Sequence, residues 1–185
     1  MSNVILSGNV SLDGYIEDAN GNFDFSVPEE ELHLYWNEIV RETGAELMGR
    51  RLYETMEPYW TEHAKNPTGA AHTDEFAKAW VETPRYVASR TLETADHGVQ
   101  LLGPDLGAEV NRIKSEIDGD IDVGGPGLGN SLAELGLLDG FRMVVNPYIV
   151  STGKPFMGPA LAGTAWKLIE QRSFGSSVLL RYEKG

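Results

Sequence analysis

The sequence predicts an α/β fold: a mixed, mostly parallel central sheet flanked by helices, with an antiparallel C-terminal hairpin. Up to Gly136, short apolar runs alternate with helix-period stretches, the pattern of parallel strands joined by crossover helices. Beyond Gly136 the pattern becomes strand-like with few helical signals. Glycines gather where strand-like runs give way to helix-like ones, the place where open α/β sheets collect ligands.

Taken in order, Asn3 to Val10 reads as a buried strand, followed by an Asp13-Gly14 turn and a polar loop from Glu17 to Phe25. Ser26 and Glu29 have capping-box spacing, so a helix is expected to start there. Leu32, Tyr35, Trp36, Ile39 and Val40 give it an apolar stripe, and Gly44 ends it. Ala45 to Met48 is a second strand. Gly49-Arg50-Arg51 opens a helix expected to stop before Pro58. Residues 61–72 read as a loop, and Thr73 as the cap of a helix through Val81. Arg85 to Ser89 is a third strand and Val99 to Leu102 a short fourth. Asp105 to Ile117 has helical spacing at Leu106, Val110, Ile113 and Ile117. Asp120 to Val123 is a strand running into Gly124-Gly125-Pro126-Gly127, with Leu128, Leu132 and Leu135 marking a short helix. Residues 141–150, 164–174 and 176–183 are strand-like, the last two joined by a Gly175-Ser176 turn. Residues 1–185 show no linker or repeat and read as a single domain.

The chain has 185 residues, 15 Lys and Arg, 28 Asp and Glu, and no cysteine. Disulfides, thiolate nucleophiles and cysteine-based zinc sites are therefore excluded. The net charge of −13 repels phosphate backbones and acidic membranes, so neither nucleic acid nor membrane is an expected partner. The N-terminal stretch from Met1 shows no basic segment followed by a long apolar run, and the expected location is the cytoplasm. His33, His63, His72 and His97 lack ligand spacing, so no metal site is expected.

Three strand ends carry unusual residues. Gly49-Arg50-Arg51 combines close backbone approach, a helix start and two guanidinium groups, which suits a phosphate; two solvated surface arginines are the competing reading. Ser89-Arg90-Thr91 offers hydroxyls and a guanidinium to a terminal phosphate, such as the one that separates NADP from NAD, against the reading of an ordinary polar loop. Gly124-Gly125-Pro126-Gly127-Leu128-Gly129 could cradle a pyrophosphate on backbone N–H groups. It does not match the Rossmann spacing.

These stretches, with Ser11-Leu12-Asp13-Gly14-Tyr15-Ile16, Gly49-Arg50-Arg51-Leu52-Tyr53-Glu54, Ala88-Ser89-Arg90-Thr91-Leu92, Asp122-Val123-Gly124-Gly125-Pro126, Leu137-Leu138-Asp139, and Asn146-Pro147-Tyr148-Ile149-Val150 before Gly153-Lys154-Pro155-Phe156, occur in an order that resembles the dihydrofolate-reductase-like family. The branch is the one shared with the C-terminal reductase domain of riboflavin biosynthesis. The resemblance covers nearly the whole chain. It implies a nucleotide-binding oxidoreductase with NADPH across the strand ends. Gly49, Arg50 and Arg51 would meet the cofactor phosphates, Ser89 and Arg90 the adenosine end, and Gly124, Gly125, Pro126 and Gly127 the pyrophosphate turn. It also implies a cis peptide between the paired glycines. The usual acidic pair is reduced to Asp139-Gly140, a departure that bears on a structural salt bridge and not on the cofactor site. A deaminase domain is not expected. Asp24, Glu30 and Glu31 lie near the position of a folate-binding carboxylate without a secure counterpart.

Hydride transfer asks the protein chiefly to align donor and acceptor and exclude water. Asp13 is the candidate for a polar substrate contact, against the reading of a simple turn-former. Tyr53, Met56, Tyr59 and Trp60 could wall the substrate side or belong to the core. The leading expectation is reduction of a small-molecule substrate, a heterocycle or imine. A folate- or riboflavin-pathway reductase stands beside it, and Lys154 is the one nearby cation for a phosphorylated precursor. A non-catalytic nucleotide-binding or ligand-sequestering module and a flavin or deazaflavin reductase remain open. The late hairpin could pair two copies into a homodimer.

Overall fold

The computed structural model describes residues 2–185; Met1 of the N-terminal stretch read above lies outside the described residues. In chain order the elements are β1 (Val4–Val10), β2 (Tyr15–Asp18), α1 (Glu30–Glu42), β3 (Ala45–Gly49), α2 (Arg50–Lys65), α3 (Ala71–Glu82), β4 (Arg85–Ala88) and β5 (Gln100–Leu101). There follow α4 (Leu106–Glu116), β6 (Ile121–Gly124), α5 (Pro126–Glu134), β7 (Gly140–Val145), β8 (Gly153–Pro155), β9 (Trp166–Phe174) and β10 (Ser177–Lys184). Eight strands form one sheet in the order β5-β4-β3-β6-β1-β7-β10-β9. The first six run parallel, and β10 and β9 add an antiparallel edge, so the mixed sheet with a C-terminal hairpin is as expected. A second, two-stranded sheet pairs β2 with β8 and was not foreseen.

Alternation within the strands sends side chains to two cores. On one face Val4, Leu6, Leu47, Ile121 and Val123 pack with Val110 and Ile113 of α4 and Leu128 and Leu132 of α5. On the other, Met48 and Val87 pack with Tyr53, Trp60, Phe76 and Trp80 of α2 and α3, while Val144 and Leu179 pack with Leu32 and Tyr35 of α1. Among the described residues no helix is long and apolar enough to cross a membrane.

Several local readings need correction. The cap of α1 is Glu29, without a side-chain capping bond. Pro28 holds Val27 extended, so the helix cannot begin at Ser26, whose hydroxyl donates to the Phe23 carbonyl at 2.7 Å. α2 runs through Pro58 to Lys65. The proline costs roughly 3 kcal/mol, and packing Trp60 of the following turn into the core offsets it. The loop is therefore shorter than residues 61–72, and α3 starts at Ala71 rather than at a Thr73 cap. Asp74 does the local ordering by accepting from the N–H groups of Thr68 and Gly69 and from His63. β7 ends at Val145 rather than at residue 150, because Asn146 turns its amide onto the Val10 and Val144 carbonyls and Pro147 has no N–H for the ladder. β4 stops at Ala88, leaving Ser89 in the turn.

Candidate functional site

The chain leaves β3 through α2 toward β4, and leaves β6 through α5 toward β7 on the other side of β1. β3 and β6 are neighbours, so a topological switch point opens between their carboxyl ends, the place where an open α/β sheet forms a crevice. Gly49 ends β3 and Gly124 ends β6 there. Met48 pairs in register with Gly124, and Gly49 with Ala88. The three turns singled out in the sequence thus sit on three adjacent strands, β4, β3 and β6.

Gly125 has φ 103° and ψ 117°, and Pro126 follows as the first residue of α5. A Cβ on Gly125 would stand 3.8 Å from the Gly49 nitrogen, in van der Waals contact with the start of α2. Backbone N–H groups at the starts of α2 and α5 have no partner within their own helices and carry the positive end of the helix dipole. A Cβ on Gly127 would meet nothing within 4 Å, so that residue borders open space. All peptide bonds among the described residues are trans; the cis link implied for the paired glycines is corrected to a trans turn made with the positive φ of Gly125.

Arg50 leans toward the β4 turn, donating to the Thr91 hydroxyl at 3.2 Å, with Glu54 at 3.9 Å. Ser89 accepts from the N–H groups of Thr91 and Leu92, which folds the turn. Arg90 is exposed beside it. Arg51 points the other way, onto Glu17 of β2 at 3.0 Å. That ion pair ties the β2 segment over the end of β3.

Asp13 is placed as a loop anchor. Its carboxylate accepts from the Ser11 hydroxyl at 2.7 Å and from the N–H groups of Val150 and Ser151 at 3.1 and 2.8 Å. The Ser11 bond, with these backbone donors, holds its pKa below the ordinary aspartate value. Tyr53 and Trp60 are core residues against α3 rather than a substrate wall, with the Tyr53 hydroxyl accepting from the Asp96 N–H; Tyr59 is exposed. Once α2 continues through Pro58, this turn must face its helical neighbour. Asp139 forms a salt bridge to Lys114 at 3.0 Å and also accepts from the Val4 N–H. Glu31 is exposed and faces Arg172 at 3.7 Å.

Sequence reasoning missed the charged floor of the α1 side. Asp122 and Arg142 are buried, and Arg142 Nη1 donates to Asp122 Oδ1 at 2.9 Å and to the Ser7 hydroxyl at 3.2 Å. The available signal was a single charge inside an apolar strand, as in Ile121-Asp122-Val123 and Phe141-Arg142-Met143. Ser7 and Asn9 keep some exposure although β1 lies inside the sheet. Asn9 Oδ1 and the Trp36 indole nitrogen are buried without hydrogen-bond partners. A hollow of about 300 Å³ elsewhere, lined by Phe141, Met157, Leu161 and Trp166, includes none of the three turns.

Glu46 is 5% exposed and pairs in register with Asp122 on one side and Arg85 on the other. Burial raises its pKa well above the ordinary 4.5, and the Asp122 charge adds to that, against the pull of Arg142 and Arg85. Asp122 is also raised by burial but has Arg142 directly upon it, and Arg85 lies 3.1 Å from Glu57. Of the two carboxyls, Glu46 is the one that burial holds further above its ordinary range. A carboxyl raised on folding stabilises fully below its unfolded pKa, and that contribution is lost as pH rises through the folded value. Over that window wild-type stability falls by up to about 1.4 kcal/mol per pH unit. Glu46→Gln reduces the slope, as read by urea unfolding from about pH 5 to pH 9. Parallel pH curves for the two proteins would refute the assignment.

Residues 2–180 match the family described as RibD C-terminal domain. Uncharacterized protein YyaP of Bacillus subtilis (strain 168) is 27% identical over 177 residues, 95% of this chain and 91% of that one. A Shewanella sp. PV-4 protein assigned to riboflavin biosynthesis superposes with a TM-score of 0.72 at 18% identity, covering 100% of this chain and 99% of that one. The diaminohydroxyphosphoribosylaminopyrimidine deaminase/5-amino-6-(5-phosphoribosylamino)uracil reductase of Thermotoga maritima gives 0.69 at 17% identity. This chain spans 57% of its length. At these identities the likeness to solved structures is one of fold.

Proposed function

The chain belongs to the RibD C-terminal domain family, on the dihydrofolate-reductase-like fold, and from that premise we propose that it is an NADPH-dependent reductase of a small heterocyclic or imine substrate. The observation that carries this reading is the meeting of the three turns at one switch point, with guanidinium groups gathered there in a chain of net charge −13. The residues fit a dinucleotide. Gly49 and Gly125 bring two backbones close together with no side chain between them, and two helix starts there suit anionic groups. Arg50, Ser89, Arg90 and Thr91 suit the adenosine-side phosphate. When bound, the cofactor supplies the hydride; the chain binds it, orients it and keeps water out.

The face of β1 that carries the partly exposed Ser7 and Asn9 is the substrate side of this reading. A riboflavin-pathway reductase is the second reading, favoured by the likeness to proteins of that name. Against a phosphorylated substrate stands the use of Arg51 by Glu17.

The deciding experiment is a fluorescence titration with NADPH and NADH, followed by NADPH oxidation with phosphorylated and unphosphorylated aminouracils, pterins and cyclic imines. Arg50→Ala and Arg90→Ala are each expected to weaken NADPH by about tenfold, the loss of one charge-assisted contact. Equal affinity for NADH, or no change in either variant, would remove the cofactor assignment. Tight NADPH binding without oxidation across the panel would favour a non-catalytic module.

A further inference from the structure

Beneath the paired glycines the sheet carries charge where its centre ordinarily carries aliphatic side chains. Asp122 stands two residues before Gly124 on β6. Ser7 of β1 is the register partner of Gly124 and, on its other side, of Arg142 of β7. Arg142 Nη1 donates to both Asp122 Oδ1 and the Ser7 hydroxyl, and that hydroxyl donates to the same Asp122 oxygen. Three side chains therefore stitch three neighbouring parallel strands together on one face. Arg142 is 5% exposed and Asp122 9%.

Such a pair is a poor source of stability. Desolvating two charges offsets most of their attraction, and an apolar replacement of similar volume often folds as well or better. What the pair does supply is fixed geometry, because a guanidinium with two hydrogen-bond acceptors has little freedom to shift. The place where that geometry is needed lies directly above. The Ser7–Gly124 match is the last pair between β1 and β6. Past it come Gly125, with its positive φ, and the first turn of α5. Gly124 and Gly125 have no side chains with which to hold the turn, and the clamp fixes β6 two residues before it.

We propose that Arg142 is a positioning residue that acts through Asp122 and Ser7 to set the height and direction of the Gly124-Gly125 turn for the pyrophosphate of a dinucleotide. This rests on the NADPH reading above. The adenosine-side turn at Ser89 to Thr91 lies two strands away from β6, beyond β3, and is not held by the clamp. A loss of Arg142 therefore separates the two halves of the ligand.

The test compares NADPH with 2′,5′-ADP, which lacks the pyrophosphate and nicotinamide, on the full chain. The variants are Ser7→Ala, Arg142→Lys and the apolar pair Asp122→Leu with Arg142→Met. In the apolar pair, NADPH is expected to weaken by about tenfold or more while 2′,5′-ADP stays within about twofold, on the scale of lost outer support for a binding group. Ser7→Ala, which removes one hydroxyl and leaves the ion pair, gives a smaller loss in the same ratio. Arg142→Lys, which keeps the charge and a donor, recovers part of the affinity. Unchanged NADPH binding in a folded variant overturns the proposal, and so does an equal fall of both ligands in step with Tm, the signature of a merely structural pair. If the apolar pair does not fold, Ser7→Ala and Arg142→Lys decide by the same ratio. A wild-type protein that binds 2′,5′-ADP and NADPH with no variant effect sinks this proposal alone; a wild type that binds neither sinks the cofactor reading with it.

Discussion

Glu57→Ala is expected to cost about 3–5 kcal/mol, the scale for breaking a buried ion pair from one side. Glu57 is 0% exposed. Its carboxylate accepts from the Trp80 indole N–H at 3.0 Å and the Thr61 hydroxyl at 2.7 Å, and lies 3.1 Å from Arg85 Nε. One side chain of α2 thus holds α3 and β4 together. Arg85 is itself buried, with Nη donors to the carbonyls of Trp80, Thr83 and His97, so it cannot swing out to water when its carboxylate partner is removed. The indole N–H and the hydroxyl lose their acceptor at the same time. A domain has roughly 5–15 kcal/mol in hand, so the variant should sit near its folding threshold. Urea unfolding measures the loss. Glu57→Gln, which keeps an acceptor, should lose clearly less; equal losses, or a loss below about 1 kcal/mol, would mean that the pair contributes no more than a surface contact.

Gly125→Ala is expected to act on fold and ligand together. At φ 103° an L side chain meets its own backbone, and holding it there costs about 1–3 kcal/mol. The new Cβ would also stand 3.8 Å from the Gly49 nitrogen, at the turn assigned to the pyrophosphate. NADPH affinity should therefore fall by about tenfold or more beyond what the loss of folded protein explains, since blocking close backbone approach removes several charge-assisted contacts. Gly127→Ala is the contrast. Gly127 lies inside α5 with free space where its Cβ would be, so alanine should raise stability by about 0.5–1 kcal/mol. An alanine at 125 that leaves both Tm and NADPH binding untouched would show that the turn does not have the role given to it.

What could be read without coordinates follows from local rules. Strand runs such as Val4 to Val10 and the helical stripe from Leu32 to Val40 show themselves because their periods are set by backbone geometry alone. The Gly124-Gly125-Pro126 turn was legible for the same reason, as was the hairpin at Gly175. Pro58 misled because its local penalty is outweighed by the core packing of Trp60, a tertiary gain. Ser26 misled because a proline two residues later restricts the chain more strongly than a favourable cap. The small β2–β8 sheet was invisible, since Tyr15–Asp18 finds its partner at Gly153–Pro155, far along the chain.

The amino-acid order by itself determined the class of fold and which turns are rich in glycine and arginine, because periodicity and backbone freedom belong to neighbouring residues. Only the tertiary structure decided that these turns meet at the β3/β6 switch point, that Asp13 anchors a loop, and that Glu46, Asp122 and Arg142 share one buried face. Those outcomes depend on strand order and register, which bring together groups more than a hundred positions apart, as with Ser7 and Asp122, and no local preference encodes such a meeting.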